Sequence, residues 1–366
     1  MARQKSLMAN GFHALKSFHL DMKVDNLRLL YFGQATWGST SLQRYFVLQE
    51  LFKTSYIVDF RRIFPDKKSG RTFSKSIQGR IGFGPLISLT SKILIQEIDR
   101  FKPDVVWVDG GFLLSREAIL YIKNKYKCKV VHYTPDSLSS PGTSNRCMSR
   151  AISAYDVVVT TKEQDLALYK KYQAKRVVFS LQGYDPSIHR PVELSADDKI
   201  KYNCDVSFVG QYMIDRAATM EYLIDKLDIK LSIYGTGWDS QFVPKKLQKI
   251  FHGPAIADDY AKVVSGSKII LGFLNNKVKD TFTTRTFEIP ACKGFLLAER
   301  TSMHQKLLTE RVESEFFSTP SELVEKVDYY LTHEEERSNI SENGYMCVTK
   351  SGYSWKELLE KIISEI

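Results

Sequence analysis

The chain has 366 residues, of which 43% are hydrophobic and 26% are charged. This composition is that of a globular protein, excludes a disordered or fibrous chain, and leaves room for two domains of ordinary size. The formal net charge of +10 fits three kinds of anionic partner: a nucleic acid, an anionic membrane surface or a small anionic substrate. No nucleic-acid-binding motif accompanies the charge.

The cysteines and the apolar segments predict a reduced, cytoplasmic protein. No pair of cysteines has CxxC spacing or the spacing of metal ligands. No apolar run reaches the ~18 residues of a membrane span, and the basic N-terminus lacks the apolar core of a signal peptide. The cysteines are Cys128, Cys147, Cys204, Cys292 and Cys347.

The first half of the chain alternates strand and helix patterns. Leu27–Phe32 is an apolar run, followed by a glycine loop and by a helix that we expect to be capped near Ser39. This opening is typical of a doubly wound α/β domain with a parallel sheet. The further predicted strands are Tyr56–Phe60, Pro103–Asp109, Lys129–Tyr133, Asp156–Thr160 and Arg176–Ser180.

Polar residues lie at or just beyond the carboxyl ends of the predicted strands. Parallel sheets bind their ligands at this edge. These residues are Asp109, His132, Asp136, Thr160 and Lys162. For His132 a hydrogen bond to the backbone at a strand end is an equally good interpretation.

A segment rich in Pro, Asp and Ser interrupts the alternation at residues 182–203, and we interpret it as an interdomain linker. A second set of strands follows, at Cys204–Val209, Lys230–Tyr234 and Lys268–Leu274. The closing segment Ser354–Ile366 has an apolar face with helical spacing. The predicted organisation is therefore a first domain over residues 1–190, a second over 191–350, and a C-terminal helix over 351–366 that packs back on the first.

The densest basic segment extends from Arg61 to Arg80 and contains seven cations. One interpretation is a docking surface for a phosphate-rich acceptor or an anionic membrane. A solvated loop face is the other.

The stretch Asp280–Arg300 has the pattern of a loop, a short helix, a glycine C-cap at Gly294 and a strand. Glu288 falls in the first turn of the helix, where polar ligands bind. The guanidinium of Arg285 suits a phosphate. Together these residues suggest a nucleotide-sugar pocket, with Arg285 on the diphosphate and Glu288 on the ribose hydroxyls. The alternative is a glutamate that caps its own helix.

The same stretch resembles the donor-binding segment of GT-B glycosyltransferases of the "glycosyl transferases group 1" type, in particular the CgeB-like (spore maturation protein-like) branch. That branch has an Arg-x-Phe-Glu-x-x-Ala-x-x-Gly run, which here is Arg285, Phe287, Glu288, Ala291 and Gly294. The wider group has two glutamates with seven residues between them, and an aspartate, Asp280, stands at the first position. Further similar segments are KPDVVWVDGG, VVHYTPDSL, DVSFVGQ and YGTGWD.

The resemblance implies an α/β protein in which two doubly wound Rossmann-like domains face a cleft, the GT-B arrangement. It also implies transfer of a sugar from a nucleotide-sugar donor to a glycan, lipid-linked or protein acceptor. A nucleotide-sugar epimerase and a non-catalytic binding module are alternatives within the same fold. The expected location is cytoplasmic, and a peripheral association with the inner face of the membrane fits the basic segment.

The resemblance also suggests candidate site residues. Because no DxD motif is present, we expect the reaction to need neither a metal ion nor another cofactor. In the first domain Asp136 or Asp109 would be the general base of an inverting enzyme, whereas His132 would contact the sugar in a retaining one. The donor-binding candidates are Gly210, Arg216, Gly235, Gly253, Pro254, Asp280, Arg285, Thr286 and Glu288.

Overall fold

The computed structural model describes residues 26–63, 72–111, 113–140 and 144–366. Residues 64–71 of the basic segment Arg61–Arg80 lie outside these ranges, so the interpretation of that segment stays a prediction. No helix in the described ranges is long and apolar enough to cross a membrane.

The first domain is built on a six-stranded parallel sheet with the order β2-β1-β3-β4-β5-β6. Its four central strands are buried, because helices cover both faces of a parallel sheet, whereas the edge strands β2 and β6 are partly exposed. The strands are β1 (Arg28–Gly33), β2 (Thr54–Asp59), β3 (Val105–Asp109), β4 (Lys129–Thr134), β5 (Val157–Thr160) and β6 (Val177–Phe179).

Helices connect these strands, and hydroxyl or amide side chains cap several of them. Ser39 accepts from the backbone N–H of Leu42 and begins the first helix, as predicted. The helices are α1 (Thr40–Leu51), α2 (Thr72–Ile81), α3 (Pro85–Phe101), α4 (Arg116–Tyr126), α5 (Arg146–Ala151) and α6 (Leu166–Lys171).

The second domain has a five-stranded parallel sheet with the order β11-β10-β9-β7-β8. Its strands are β7 (Cys204–Val209), β8 (Leu231–Tyr234), β9 (Ser267–Gly272), β10 (Leu296–Glu299) and β11 (Glu315–Phe317). Its helices are α7 (Ala196–Tyr202), α8 (Ile214–Lys226), α9 (Lys245–Gln248), α10 (Asp258–Gly266), α11 (Arg285–Ala291), α12 (Ser302–Leu307), α13 (Pro320–Thr332) and α14 (Glu334–Lys350).

Both sheets reverse their winding direction at one point, which lies between β1 and β3 in the first sheet and between β7 and β9 in the second. Ligands of doubly wound domains bind at such switch points, beyond the carboxyl ends of the strands. The predicted fold class, two doubly wound Rossmann-like α/β domains, is confirmed.

The linker segment 182–203 contains α7, which begins with a capping box formed by Ser195 and Asp198. One local prediction, the glycine C-cap at Gly294, is wrong. The left-handed residue after α11 is Lys293 (φ 60°) and not Gly294. Gly294 is instead needed for close packing, since a Cβ atom there would lie 2.4 Å from a methyl carbon of Val264.

The last helix, α15 (Trp355–Ile363), lies against α1 of the first domain. Its Trp355 indole N–H donates to the Gln43 side-chain oxygen at 3.2 Å. The apolar face of α15 is buried, including Leu358, Leu359 and Ile362. The chain therefore returns to the first domain after completing the second.

A truncation before Ser354 tests the role of this helix. It would expose the face of α1 that α15 covers, so we expect the first domain to become more susceptible to limited proteolysis than in the full chain. Mass spectrometry of the fragments would locate the new cuts. New cuts confined to the second domain would show that α15 stabilises only that domain.

Candidate active site

A cavity of about 720 Å³ lies between the two domains. Its volume is within the usual range for small-molecule sites. The first domain contributes the loop at Trp37 and the start of α1, and the second contributes the loop 255–257 and the start of α11. The linker residues 185–189 form a third wall.

Glu288 is the buried carboxylate of this cavity. It lies in the first turn of α11, and only 1% of the residue is exposed. One carboxylate oxygen accepts a hydrogen bond from the Arg285 guanidinium. The other lies 3.5 Å from Nε2 of His189. Glu288 is thus held as a hydrogen-bond acceptor at the cavity wall, which fits the predicted ribose contact.

The sequence predicts that Arg285 contacts the diphosphate of the donor. In this structure its guanidinium contacts protein groups. Its guanidinium pairs with Glu288, donates through Nε to the Val209 carbonyl at 3.1 Å, and lies 4.6 Å above the Tyr260 ring. These contacts fix the guanidinium beside the carboxylate. Arg285 therefore orients Glu288 in this structure.

Arg216 lies at the switch point of the second sheet. Its guanidinium donates to the carbonyls of Gln211 and Leu274, each at 3.0 Å, and these residues follow β7 and β9. Its buried Nε has no partner. In the described ranges no carboxylate forms an ion pair with Arg216, and burial lowers the pKa of the guanidinium. A phosphate would supply the missing negative charge.

The glycines of the second domain mainly pack loops together. Gly235 has φ of +133°, and a Cβ atom there would lie 2.0 Å from the carbonyl oxygen of Gly210. The Gly235 N–H donates to the Gly253 carbonyl at 2.9 Å. Pro254 is exposed next to the cavity residues 255–257. The three glycines hold the loops at the carboxyl edge of the sheet in place.

Thr286 does not face the cavity, contrary to its assignment as a donor-binding residue. Its side chain is buried, and its hydroxyl forms a hydrogen bond of 2.9 Å with Nε2 of His304. The hydroxyl also accepts from the backbone N–H of Thr283 at 3.3 Å. These contacts give Thr286 a structural position behind α11.

Asp280, the first acidic residue of the pair, contacts the first domain. Its carboxylate forms an ion pair with Lys162, which follows β5 and is only 3% exposed as a side chain. Beside it, the Gln164 amide donates to the Lys279 carbonyl at 3.2 Å. The Lys162–Asp280 ion pair therefore connects the two domains.

Of the three predicted catalytic residues, Asp136 is exposed to solvent, whereas Asp109 and His132 are buried. It follows β4, and its backbone N–H donates to the Thr134 hydroxyl at 3.2 Å. The surrounding protein raises the pKa of its carboxyl, a shift that Lys162 opposes and Asp280 reinforces. A solvent-accessible carboxylate at a strand end has the chemistry of a group that accepts a proton from a bound hydroxyl.

Asp109 is not available to a substrate, contrary to its assignment as a candidate base. One of its oxygens accepts from Arg44 Nε at 2.8 Å and from the Tyr31 hydroxyl at 2.7 Å. The other accepts from Arg44 Nη2 at 3.0 Å. Both members of the Arg44–Asp109 pair are buried. Asp109 is part of the core beneath the cleft.

His132 is also wrong as a sugar contact, because its side chain is completely buried. Its Nε2 lies 2.8 Å from the Gly110 carbonyl, which can only accept, so Nε2 carries the proton. Nδ1 has no partner, and the ring packs on Tyr155. Burial lowers the pKa of His132 to about 4, so it is neutral at pH 7.

The sequence assigns no site role to His189 and places Lys162 only as a polar residue at a strand end. The partner of Lys162 is 118 positions away. His189 lies in the linker, and nothing in its local sequence points to Glu288.

Among the described residues no group of three or more His, Cys, Asp or Glu side chains could hold a metal ion, and independence from metal stays a prediction.

Comparison with known proteins agrees with this architecture. Residues 216–364 match the family described as glycosyl transferase-like. The chain is 22% identical over 286 residues to spore protein CgeB of Bacillus subtilis (strain 168), a match that covers 73% of this chain and 84% of CgeB. The chain is therefore similar to CgeB and to glycosyltransferases of the group 1 type. The resemblance inferred from the sequence motifs is confirmed.

Solved structures establish the GT-B fold of this CgeB-like chain. Anabaena Alr3699/HepE in complex with UDP-glucose superimposes with a TM-score of 0.65 at 12% identity, over 93% of this chain and 100% of that chain. A glycosyltransferase from Rickettsia africae ESF-5 superimposes with a TM-score of 0.64 at 14% identity, over 93% and 97% of the two chains. Because the identities are only 12% and 14%, the structural similarity establishes the fold alone.

Proposed function

We propose that this glycosyltransferase moves a hexose-type sugar from a nucleotide-sugar donor, bound by the second domain, to an acceptor hydroxyl presented by the first. The observation that carries the proposal is Glu288, a buried carboxylate held at the wall of the interdomain cavity by two separate residues. A carboxylate fixed in this way accepts hydrogen bonds from two vicinal ribose hydroxyls. HepE, which has the same fold, binds UDP-glucose, and this supports a uridine nucleotide as the first donor to test.

In the proposed reaction the acceptor oxygen attacks the anomeric carbon and forms the new glycosidic bond. The bond from that carbon to the phosphate oxygen breaks, and the nucleoside diphosphate leaves. Arg216 and the backbone N–H groups that follow Gly210 stabilise the negative charge on the leaving group. The Asp136 carboxylate takes the acceptor proton, and the reaction inverts the anomeric configuration.

The proposal includes independence from metal ions, because Arg216 supplies positive charge at the predicted diphosphate position. We also propose a cytoplasmic location and an acceptor that is a glycan, a lipid-linked sugar or a protein. The basic segment Arg61–Arg80 would hold an anionic acceptor or the inner face of the membrane.

Replacement of Glu288 tests the donor site directly. Glu288→Gln keeps the shape and removes the charge, so we expect UDP to bind more weakly by about 1–3 kcal/mol. This corresponds to a loss of about 5- to 150-fold in affinity. Isothermal titration calorimetry with UDP, in the presence of a chelator, measures the affinity and the need for metal in the same experiment.

The matched control is Glu325→Gln, which removes an exposed carboxylate on α13, away from the cavity. It should bind UDP with the affinity of the wild-type protein. Equal affinities for the wild-type protein and Glu288→Gln would remove Glu288 from the ribose contact. Binding of UDP without hydrolysis or transfer of UDP-sugars would favour the alternative of a binding module.

A further inference from the structure

The chain crosses between the domains twice, and the two crossings are hydrogen-bonded to each other. The Tyr184 N–H donates to the Tyr353 carbonyl at 3.3 Å, and the Trp355 N–H donates to the Tyr184 carbonyl at 2.8 Å. A Cβ atom on Gly183 would lie only 3.0 Å from the Trp355 nitrogen. The linker and the entry to α15 therefore form one connected strip.

A tight turn leads from this strip to His189. The His189 N–H donates to the Asp185 carbonyl at 2.7 Å, and the Asp185 N–H donates to Nδ1 of His189 at 3.0 Å. Because Nδ1 accepts a hydrogen bond, the proton of the neutral ring is on Nε2. The turn thus fixes both the tautomer and the direction of the ring.

Nε2 of His189 is the ring atom next to Glu288. Its distance to the carboxylate oxygen is 3.5 Å, longer than a normal hydrogen bond, so the two groups are in contact here without a direct hydrogen bond. His189 is 3% exposed, and its ring packs edge-on against Tyr260. The other oxygen of Glu288 belongs to Arg285. Each oxygen of the carboxylate is therefore oriented by a different part of the chain.

The charged and titratable groups around the ring are Glu288, Arg285, Asp185 and Tyr260. Burial is the largest influence and lowers the pKa of His189, so the ring is neutral at pH 7. A neutral ring next to Glu288 adds no positive charge at the carboxylate that the ribose hydroxyls would meet.

We infer that His189 is a positioning residue for Glu288, through which the interdomain linker sets the orientation of the nucleotide-binding carboxylate. This inference rests on the proposed function, in which Glu288 binds the ribose. Arg285 is part of the second domain, whereas His189 is part of the linker. Nucleotide affinity therefore depends on how the linker is placed when the domains close.

Three variants at position 189 test the inference by calorimetry with UDP. His189→Phe and His189→Met fill the space without a donor, and we expect each to weaken UDP binding roughly tenfold or more. Met is the second variant in case Phe does not fit. His189→Gln retains an N–H donor and should recover most of the affinity. In the transfer assay the donor KM should rise while kcat changes little, because the contact is present before and during the reaction.

A double-mutant cycle separates positioning from packing. If His189 acts through Glu288, His189→Phe should have no further effect on UDP affinity in the Glu288→Gln background. His333→Phe, at an exposed histidine between α13 and α14, is the matched control and should leave the affinity unchanged.

The outcomes distinguish this inference from the proposed function. Tight UDP binding by folded His189→Phe and His189→Met, together with weak binding by Glu288→Gln, would overturn the role of His189 alone. Equal losses from His189→Phe in the wild-type and Glu288→Gln backgrounds would also overturn it. A wild-type protein that binds no nucleoside diphosphate would refute the donor site and this inference with it.

Discussion

Asp109→Asn is expected to lower the free energy of unfolding by about 3–5 kcal/mol, the cost of breaking a buried ion pair from one side. The substitution leaves the Arg44 guanidinium without a carboxylate between the Tyr133 ring, 4.3 Å away, and the Trp355 ring, 5.1 Å away. It also replaces the Asp109 carboxylate, which accepts the hydrogen bond of the Tyr31 hydroxyl, by an uncharged amide. Denaturant unfolding followed by circular dichroism measures the change.

The matched control is the double variant Arg44→Met, Asp109→Leu, which replaces both charges by apolar side chains. It should be more stable than Asp109→Asn, because no buried charge is left unpaired. A stable Asp109→Asn protein that has lost transfer activity would instead return Asp109 to the list of catalytic candidates. Because Trp355 lies on Arg44, the same pair also supports the docking of α15.

The fold could be predicted because its signals are local. The central strands are short buried runs, several loops at the carboxyl ends contain glycine or polar residues, and Ser39 caps its helix within three residues. The alternation then determines a parallel sheet, since only crossover connections fit it. Such features need no knowledge of which residues meet across the molecule.

The catalytic residues were harder to predict because a strand end has two faces. Val131 and Tyr133 pack in the core shared with the last helix, whereas His132 points to the opposite face and packs on Tyr155. The sequence shows that His132 lies within a strand pattern. The side of the sheet to which its ring points depends on the register of β4 in the sheet.

The contacts of Arg285 and Asp280 could not be read from residue type and spacing. Arg285 has the chemistry of a phosphate ligand, but in the structure it donates to the nearby Glu288 and to the Val209 carbonyl of the same domain. Asp280 keeps the position of the first acidic residue and pairs with Lys162 of the other domain. The contact with Val209 depends on the packing of the second domain, and the contact with Lys162 arises only when the two domains face each other.

Asp136→Asn is expected to reduce the rate of sugar transfer by about 10²–10⁴-fold, the usual contribution of a general base. The reason is that Asp136 is the solvent-accessible carboxylate of the first domain beside the Lys162–Asp280 pair. A base acts when it is ionised, so the activity of the wild-type protein should fall as the pH drops through the raised pKa of Asp136. In the variant this acidic limb should be absent. Initial rates with UDP-sugar between pH 4 and 8 measure both effects.

Because Asp136 belongs to the first domain, UDP affinity should not change in Asp136→Asn, which distinguishes a loss of chemistry from a loss of donor binding. Asp328→Asn, on the exposed side of α13, is the matched control and should transfer at the wild-type rate. The anomeric configuration of the product, read by nuclear magnetic resonance, gives an independent check, since a base that activates the acceptor implies inversion. A retained configuration, or a wild-type pH profile in Asp136→Asn, would exclude Asp136 as the base and leave it at most a contact to the acceptor.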